Sequence, residues 1–130
     1  MALIVQKYGG TSVGSPERIN AVAEKVARQR KSGDDLVIVV SAMSGETDRL
    51  LKLAKTINAD PPPRELDVLL ATGEQTTIAL LAMALEKLGC PARSYTGHQV
   101  HIRTDNVYGK ARILGIDESR VREDLKIGRV

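Results

Sequence analysis

The sequence is poor in aromatic residues and carries no large excess of one charge. Its 130 residues include three tyrosines, no phenylalanine and no tryptophan, so a core must be built from aliphatic side chains. The same shortage removes the stacking platforms on which proteins bind single-stranded nucleic acids. The net charge of +3 is spread evenly along the chain, and no basic stripe marks a nucleic-acid face. The composition therefore argues against a nucleic-acid partner.

Cysteine and long apolar runs are also scarce. A single cysteine, Cys90, excludes an internal disulfide and fits a reducing compartment. No run reaches the roughly 18 apolar residues of a membrane helix, and the N-terminus lacks the regions of a signal peptide. With 42% apolar and 27% charged residues, the composition is that of a globular domain. We expect a cytoplasmic protein with no membrane partner.

Apolar runs and helical patterns alternate along the chain. The runs at 2–5 and 36–40 predict strands buried on both faces, and the intervening helix begins with Ser15 as its N-cap and Pro16 at its first position. Further helices are predicted at 48–58, 65–71, 76–88 and 119–126, and further strands at 92–96, 111–115 and from 128 onward. The segment 98–109 is polar and predicted to be a loop, and 76–88 is apolar nearly all round, which predicts burial between layers. This order predicts an α/β fold, with a mainly parallel sheet and helices on both faces.

A glycine-rich segment, VQKYGGTSVG at 5–14, joins the first strand to the first helix. Its glycines let the backbone approach an anion, the following helix offers free N–H groups, and Lys7 adds a cation suited to phosphate. Neither the dinucleotide-binding pattern nor the P-loop pattern fits, because Thr11 and Ser15 stand where those motifs need Gly and Lys. The residues alone leave two interpretations open: a phosphate-binding loop of another design, or a turn whose glycines only satisfy backbone geometry.

A second polar turn, 41–48, also follows the carboxyl end of a strand. Ligands of open α/β sheets bind at that edge, so we expect this turn to face the same crevice as the first. Ser41 and Thr47 can exchange hydrogen bonds with a ligand. Thr47 or Asp48 can instead cap the next helix, and capping alone is the favoured role for Asp48.

Glu74 lies in a stretch that is otherwise suited to burial. A buried carboxylate needs a partner, which would be Lys7, an arginine or the ammonium group of a ligand. Alternatively, Glu74 is exposed in the first turn of a helix, where the helix dipole favours it. His98 and His101 are too few to form a structural zinc site, and we predict no metal bound by protein side chains.

Three motifs, VQKYGGTSVG, VVSAMSGETD and LLATGEQ, occur in an order and at intervals that closely resemble the N-terminal part of aspartate kinases, within the amino acid kinase family. The later YTGHQVHIRTD is similar to the next segment of the same family. The resemblance covers essentially the whole chain. It implies that residues 1–130 form the N-terminal lobe of an incomplete amino acid kinase fold, without the C-terminal nucleotide-binding half and the regulatory ACT domains.

The resemblance implies an activity as well. Aspartate kinases transfer the γ-phosphoryl group of ATP, with Mg²⁺, to the side-chain carboxylate of L-aspartate. The product, 4-phospho-L-aspartate, is the first intermediate towards lysine, threonine, methionine and, in bacteria, diaminopimelate. The intact enzyme is expected to be a homo-oligomer, and the 130-residue chain alone is expected to be inactive.

The resemblance also assigns roles to individual residues. Lys7 is the expected catalytic cation against the ATP phosphates. The residues expected to bind the nucleotide are Lys7, Tyr8, Gly9, Gly10 and Ser41, with Tyr8 standing where the family often has Phe. Thr47 and Glu74 are expected to hold aspartate, with Glu74 facing its α-ammonium group. Phosphoryl transfer between two anions requires mainly positioning and charge neutralisation, and these residue types supply both.

Two alternatives remain beside this interpretation. The chain could belong to another amino acid kinase, one that acts on glutamate or carbamate. It could also be a non-catalytic fragment that binds a nucleotide or completes its fold with a partner chain, through an exposed sheet edge.

Overall fold

The computed structural model describes residues 1–130 and contains four α-helices and four strands. In chain order the elements are β1 (Leu3–Tyr8), α1 (Pro16–Lys31), β2 (Asp35–Val40), α2 (Glu46–Ile57), α3 (Pro63–Lys87), β3 (Arg103–Thr104), β4 (Ile113–Gly115) and α4 (Ser119–Lys126). A 3₁₀ turn over Gly10–Val13 lies between β1 and α1.

The first three elements form a βαβ unit. β1 and β2 are parallel and pair in register from Leu3 opposite Asp35 to Tyr8 opposite Val40. α1 begins as predicted, with the Ser15 hydroxyl accepting a hydrogen bond from the Arg18 N–H at 3.2 Å. The α/β class and the parallel sheet are therefore confirmed.

The core lies on one face of this sheet. Residues of α1 at helical spacing pack with the inward side chains of β2 and with the second half of α3; the buried set includes Ile19, Val22, Ala23, Val26, Leu36, Val40, Leu81 and Leu85. On the opposite face Leu3, Val5 and Val39 are exposed. Within this chain the prediction of helices on both faces is thus met on one face only.

α3 differs most from its prediction. Helices over 65–71 and 76–88, interrupted at 72–74, are wrong: one helix runs through from Pro63 to Lys87. It is not buried all round either, because Met83 is 65% exposed. Against expectation, an 18-residue window of α3 reaches a mean hydropathy of 1.5, enough by length and composition for a membrane span. Here α3 packs against α1 and α2, and core helices of globular proteins meet the same criterion.

The C-terminal third of the chain is only partly as predicted. Residues 92–96 form no assigned strand, but Val130 N–H donates to Pro91 O at 2.9 Å and Arg93 N–H donates to Val130 O at 3.0 Å. Two bonds that flank Ala92 in this way are the pattern of parallel strands. α4 coincides with the predicted helix, and β4 lies within the strand predicted at 111–115. β4 pairs antiparallel with β3, which falls inside the segment 98–109 that was expected to be a loop.

Candidate functional site

The turns that follow β1 and β2 are in direct contact. Ser41 N–H donates to Tyr8 O at 3.1 Å, and Ser44 N–H donates to Gly10 O at 3.2 Å. A Cβ atom at Gly10 would lie only 3.0 Å from the carbonyl oxygen of Ala42. The lack of a side chain at Gly10 therefore allows the two turns to form one continuous surface at the carboxyl edge of the sheet.

α2 begins inside the second turn. Gly45, with φ of 82°, adopts the left-handed conformation that glycine tolerates best, and it is the N-cap without any side-chain cap. Thr47 and Asp48 therefore lie within the first turn of α2, and the prediction that Asp48 serves only as a cap is wrong. Both their side chains are exposed at the positive end of the helix dipole.

A concavity of about 340 Å³ lies between these turns and α3. Its lining consists of Gly10, Ser41, Ala42, Met43, Ser44, Gly45, Thr47, Asp48 and Glu74. Four of the predicted site residues, from three separate motifs, are thus brought together: Gly10, Ser41, Thr47 and Glu74. Ser44 and Asp48 also line it; their place within the second motif was the only sequence signal for them.

Glu74 reaches this concavity from the middle of α3. It is exposed, so the expectations of a buried carboxylate and of a first-turn position are both wrong. None of the six ion pairs of the chain includes Glu74. Nearby Glu46 is engaged instead, since Arg49 donates to its carboxylate at 2.7 and 3.0 Å, and these bonds lower the pKa of Glu46. The Glu74 carboxylate is left to accept hydrogen bonds from a ligand cation.

Three predicted residues do not line the concavity: Lys7, Tyr8 and Gly9. Lys7 is exposed and pairs with Val39 near the same end of the sheet, on the face opposite to the core. Tyr8 points to the core face, where its hydroxyl donates to Gln6 Oε1 at 2.9 Å and burial raises its pKa. Gly9 is exposed, and a Cβ atom there would meet nothing within 4 Å.

The side chains of the chain do not by themselves form a metal site. No group of three or more His, Cys, Asp or Glu residues is placed to hold an ion. The ring centroids of His98 and His101 lie 6.3 Å apart, with the two rings tilted by 50°.

The chain is similar over nearly its whole length to several proteins named aspartate kinase or aspartokinase. An aspartate kinase of Pseudomonas putida is 68% identical over 130 residues, which cover 100% of this chain and 32% of that protein. An aspartokinase of Thermus thermophilus is 54% identical over 128 residues, covering 98% of this chain and 32% of that protein. The crystal structure of an aspartate kinase from Synechocystis matches with a TM-score of 0.81 and 45% identity, covering 98% of this chain and 20% of that one.

The chain therefore spans about a third of the length of the curated relatives that it matches. The family model described as "Amino acid kinase family" matches residues 2–130. Three observations agree with this match: the sequence motifs, the parallel βαβ unit with its two joined turns, and the coverage of nearly every residue. The protein belongs to the amino acid kinase family.

Proposed function

We propose that this chain is the N-terminal part of the catalytic domain of an aspartate kinase, which transfers the γ-phosphoryl group of ATP to the side-chain carboxylate of L-aspartate. The observation that carries the proposal is the convergence of Gly10, Ser41, Thr47 and Glu74 on one concavity. The names of the relatives, at 68% and 66% identity over the whole chain, support the choice of aspartate.

The acceptor would be held at the α2–α3 side of the concavity. The Glu74 carboxylate has no competing protein cation within 4.0 Å, and an ammonium group is its natural partner. The Thr47 hydroxyl and the amides of the first turn of α2 suit a carboxylate. An amino acid with both groups would therefore be oriented by two fixed contacts, which leaves its side chain free to react.

The donor would lie over the turn that follows β1. Gly10 allows close approach of the backbone, and Ser41 supplies a hydroxyl. Lys7, Tyr8 and Gly9 flank this turn, and Lys7 is the exposed cation among them. We propose that the Lys7 ammonium swings over the strand edge to the phosphates; its exposed side chain supports this. The side-chain oxygen of aspartate attacks the γ-phosphorus, a P–O bond forms, the bond to the β-phosphate oxygen breaks, and ADP leaves.

Mg²⁺, when bound with ATP, would neutralise phosphate charge. Since the chain has no three-residue ligand group, we assign the ion to the nucleotide rather than to side chains of residues 1–130. The chain's own contribution is then positioning, by turn amides and hydroxyls, and one positive charge from Lys7.

The test is a coupled ADP-release assay on the full-length polypeptide encoded by the gene. We expect turnover that depends on L-aspartate and is absent with glutamate or carbamate. Glu74→Gln should raise KM for aspartate at least about tenfold with little change in KM for ATP, because a charge-assisted contact is lost. Glu24→Gln on the exposed face of α1 is the matched control and should change neither constant.

Lys7→Ala tests the nucleotide side. We expect kcat to fall about 100-fold or more while folding is unchanged, since one lost transition-state donor has an effect of this size. Lys87→Ala, at the far end of α3, is the control. An unchanged kcat in Lys7→Ala would remove Lys7 from the mechanism, and turnover without aspartate would end the proposal as a whole.

We further propose a cytoplasmic homo-oligomer for the intact protein. The free thiol of Cys90 fits a reducing compartment, and the exposed apolar side chains of Leu80 and Met83 on α3 are surface that a second copy would bury. Light scattering of the full-length polypeptide should give a mass that is a multiple of the monomer; a monomeric mass at all concentrations would contradict this.

A further inference from the structure

We infer that Gly73 is a positioning residue: the absence of a side chain there sets how closely α3 approaches the turn after β2, and thereby where Glu74 stands in the concavity. The inference rests on the proposed function of Glu74 in holding the acceptor. Gly73 itself lines no part of the concavity and would touch no substrate.

The geometry around Gly73 is unusually close. The residue is buried in the middle of α3. A Cβ atom built on it would lie 3.0 Å from Ala42 Cβ, 3.6 Å from Glu46 Cγ and 3.7 Å from Leu50 Cδ1. Contacts of 3.0 Å force the neighbour to move by a few tenths of an ångström. Gly73 is therefore a position at which α3 lies in close contact with both the second turn and α2.

The backbone of α3 gives no reason for glycine at this position. Gly73 is not among the glycines with positive φ, and alanine is the better helix former. A glycine in the middle of a helix weakens that helix, so its presence is explained by what the missing side chain permits, which is the close contact with Ala42.

Ala42 is held from two sides. It is buried. Its carbonyl oxygen lies 3.0 Å from where a Cβ of Gly10 would be, and its methyl group lies 3.0 Å from where a Cβ of Gly73 would be. The turn that carries Ser41 and Ser44 is thus clamped between two glycines on different elements. A wider contact at Gly73 therefore moves Glu74, the residue that follows it, away from this turn.

Gly73→Ala in the full-length polypeptide tests the inference. A displacement of a few tenths of an ångström at a binding group predicts a rise in KM for aspartate of about 5- to 10-fold. The values of kcat and of KM for ATP should stay within about twofold. The melting temperature should change little, because the better helix propensity of alanine, about 1 kcal/mol, offsets the cost of the close contact with Ala42. Gln75→Ala, an exposed position on the other side of Glu74, is the matched control.

The double variant Ala42→Gly/Gly73→Ala moves the methyl group from one side of the contact to the other. We expect it to restore KM for aspartate to within about twofold of the wild type; Ala42→Gly alone completes the double-mutant cycle. If Gly73→Ala does not fold, recovery of folding and of KM in the double variant supports the inference, and failure to recover either overturns it.

The outcomes separate this inference from the proposed function. If the wild type shows no aspartate-dependent turnover, both fall. If it turns over with aspartate but Glu74→Gln leaves KM unchanged, the role of Glu74 and this inference fall, while the aspartate kinase activity stands. If the wild type turns over and Glu74→Gln raises KM, but Gly73→Ala leaves KM for aspartate unchanged, the positioning role alone is overturned. The positioning role is also overturned if KM for aspartate rises only together with a fall in melting temperature and the double variant does not restore KM. That result is expected of a glycine that serves stability alone.

Discussion

Replacing Asp124 with asparagine is expected to loosen α4 from the segment at 91–95. Asp124 is buried, and its carboxylate accepts a hydrogen bond from Arg129 Nη1 at 2.7 Å and another from the Tyr95 hydroxyl, while Arg93 Nη1 lies 3.5 Å away. Burial raises the pKa of this carboxyl, but the bonds from Tyr95 and Arg129 and the two arginine charges outweigh it, so that the pKa lies below its usual value. The ionised form therefore holds α4 in place.

The size of the effect follows from these contacts. Hydrogen bonds to a charged group contribute about 1.5–3 kcal/mol each. Asparagine keeps the shape of the side chain but not its charge, and the partly exposed arginines recover hydration when the charge is lost. We expect local opening of α4 to become easier by about 2 kcal/mol, which is about 30-fold in the opening equilibrium.

Amide hydrogen exchange of the full-length polypeptide measures this opening directly. Protection of the α4 amides should fall about 30-fold at pH 7 in Asp124→Asn, while the α1 amides should be unchanged and serve as an internal control. Because the folded-state pKa is lowered, the stabilisation is present above the unfolded value of about 3.9 and is lost as pH falls through the folded-state value.

The difference in α4 protection between the wild type and Asp124→Asn should therefore shrink below about pH 4. Equal α4 protection at pH 7, or a difference that persists undiminished in acid, would refute the role assigned to this carboxylate.

Three further predictions concern the core and the first turn. Leu36→Ala, at a fully buried position, should destabilise the fold by about 3 kcal/mol in urea unfolding; a change below about 1 kcal/mol would show that this site is not tightly packed. Burial raises the pKa of the Cys90 thiol. Alkylation of this thiol at pH 8 should therefore be at least about tenfold slower in the native protein than in urea. Equal rates would contradict the burial of Cys90. Gly10→Ala should lower the free energy of unfolding by about 1–3 kcal/mol through its contact with Ala42, and with it the melting temperature. Gly9→Ala is the control, since a Cβ there meets nothing within 4 Å, and it should leave the melting temperature nearly unchanged. Equal effects of the two substitutions would show that the two turns are not closely joined.

Local features of the sequence were enough to place several elements. Ser15 and Pro16 mark the start of α1 because capping depends on residues within one helical turn. The apolar run of β2 and the amphipathic pattern of α4 were also sufficient. The family followed from three ordered motifs, since motif order survives in the sequence without any knowledge of contacts.

The predictions that failed depended on distant contacts. Glycine inside 72–74 predicted a break, because local propensity disfavours glycine in helices; the helix continues since Gly73 packs against Ala42, a residue 31 positions away. Burial was one of two interpretations of Glu74, drawn from its apolar neighbours along the chain, but a helix exposes one face whatever its sequence neighbours are. The other, exposure in the first turn of a helix, placed the residue at the wrong point of α3.

By itself the sequence determined the βαβ unit and the glycine-rich first turn, because both depend on residues close together in the chain. It also determined the membership of the family, through the order of three motifs. Only the tertiary structure decided that Gly10, Ser41, Thr47 and Glu74 share one concavity while Lys7 lies on the open face of the sheet. The physical reason is that the distances among two turns and a helix are set by close packing of residues far apart in sequence. At this site, Gly10 and Gly73 have no side chain, which allows both to lie close to Ala42.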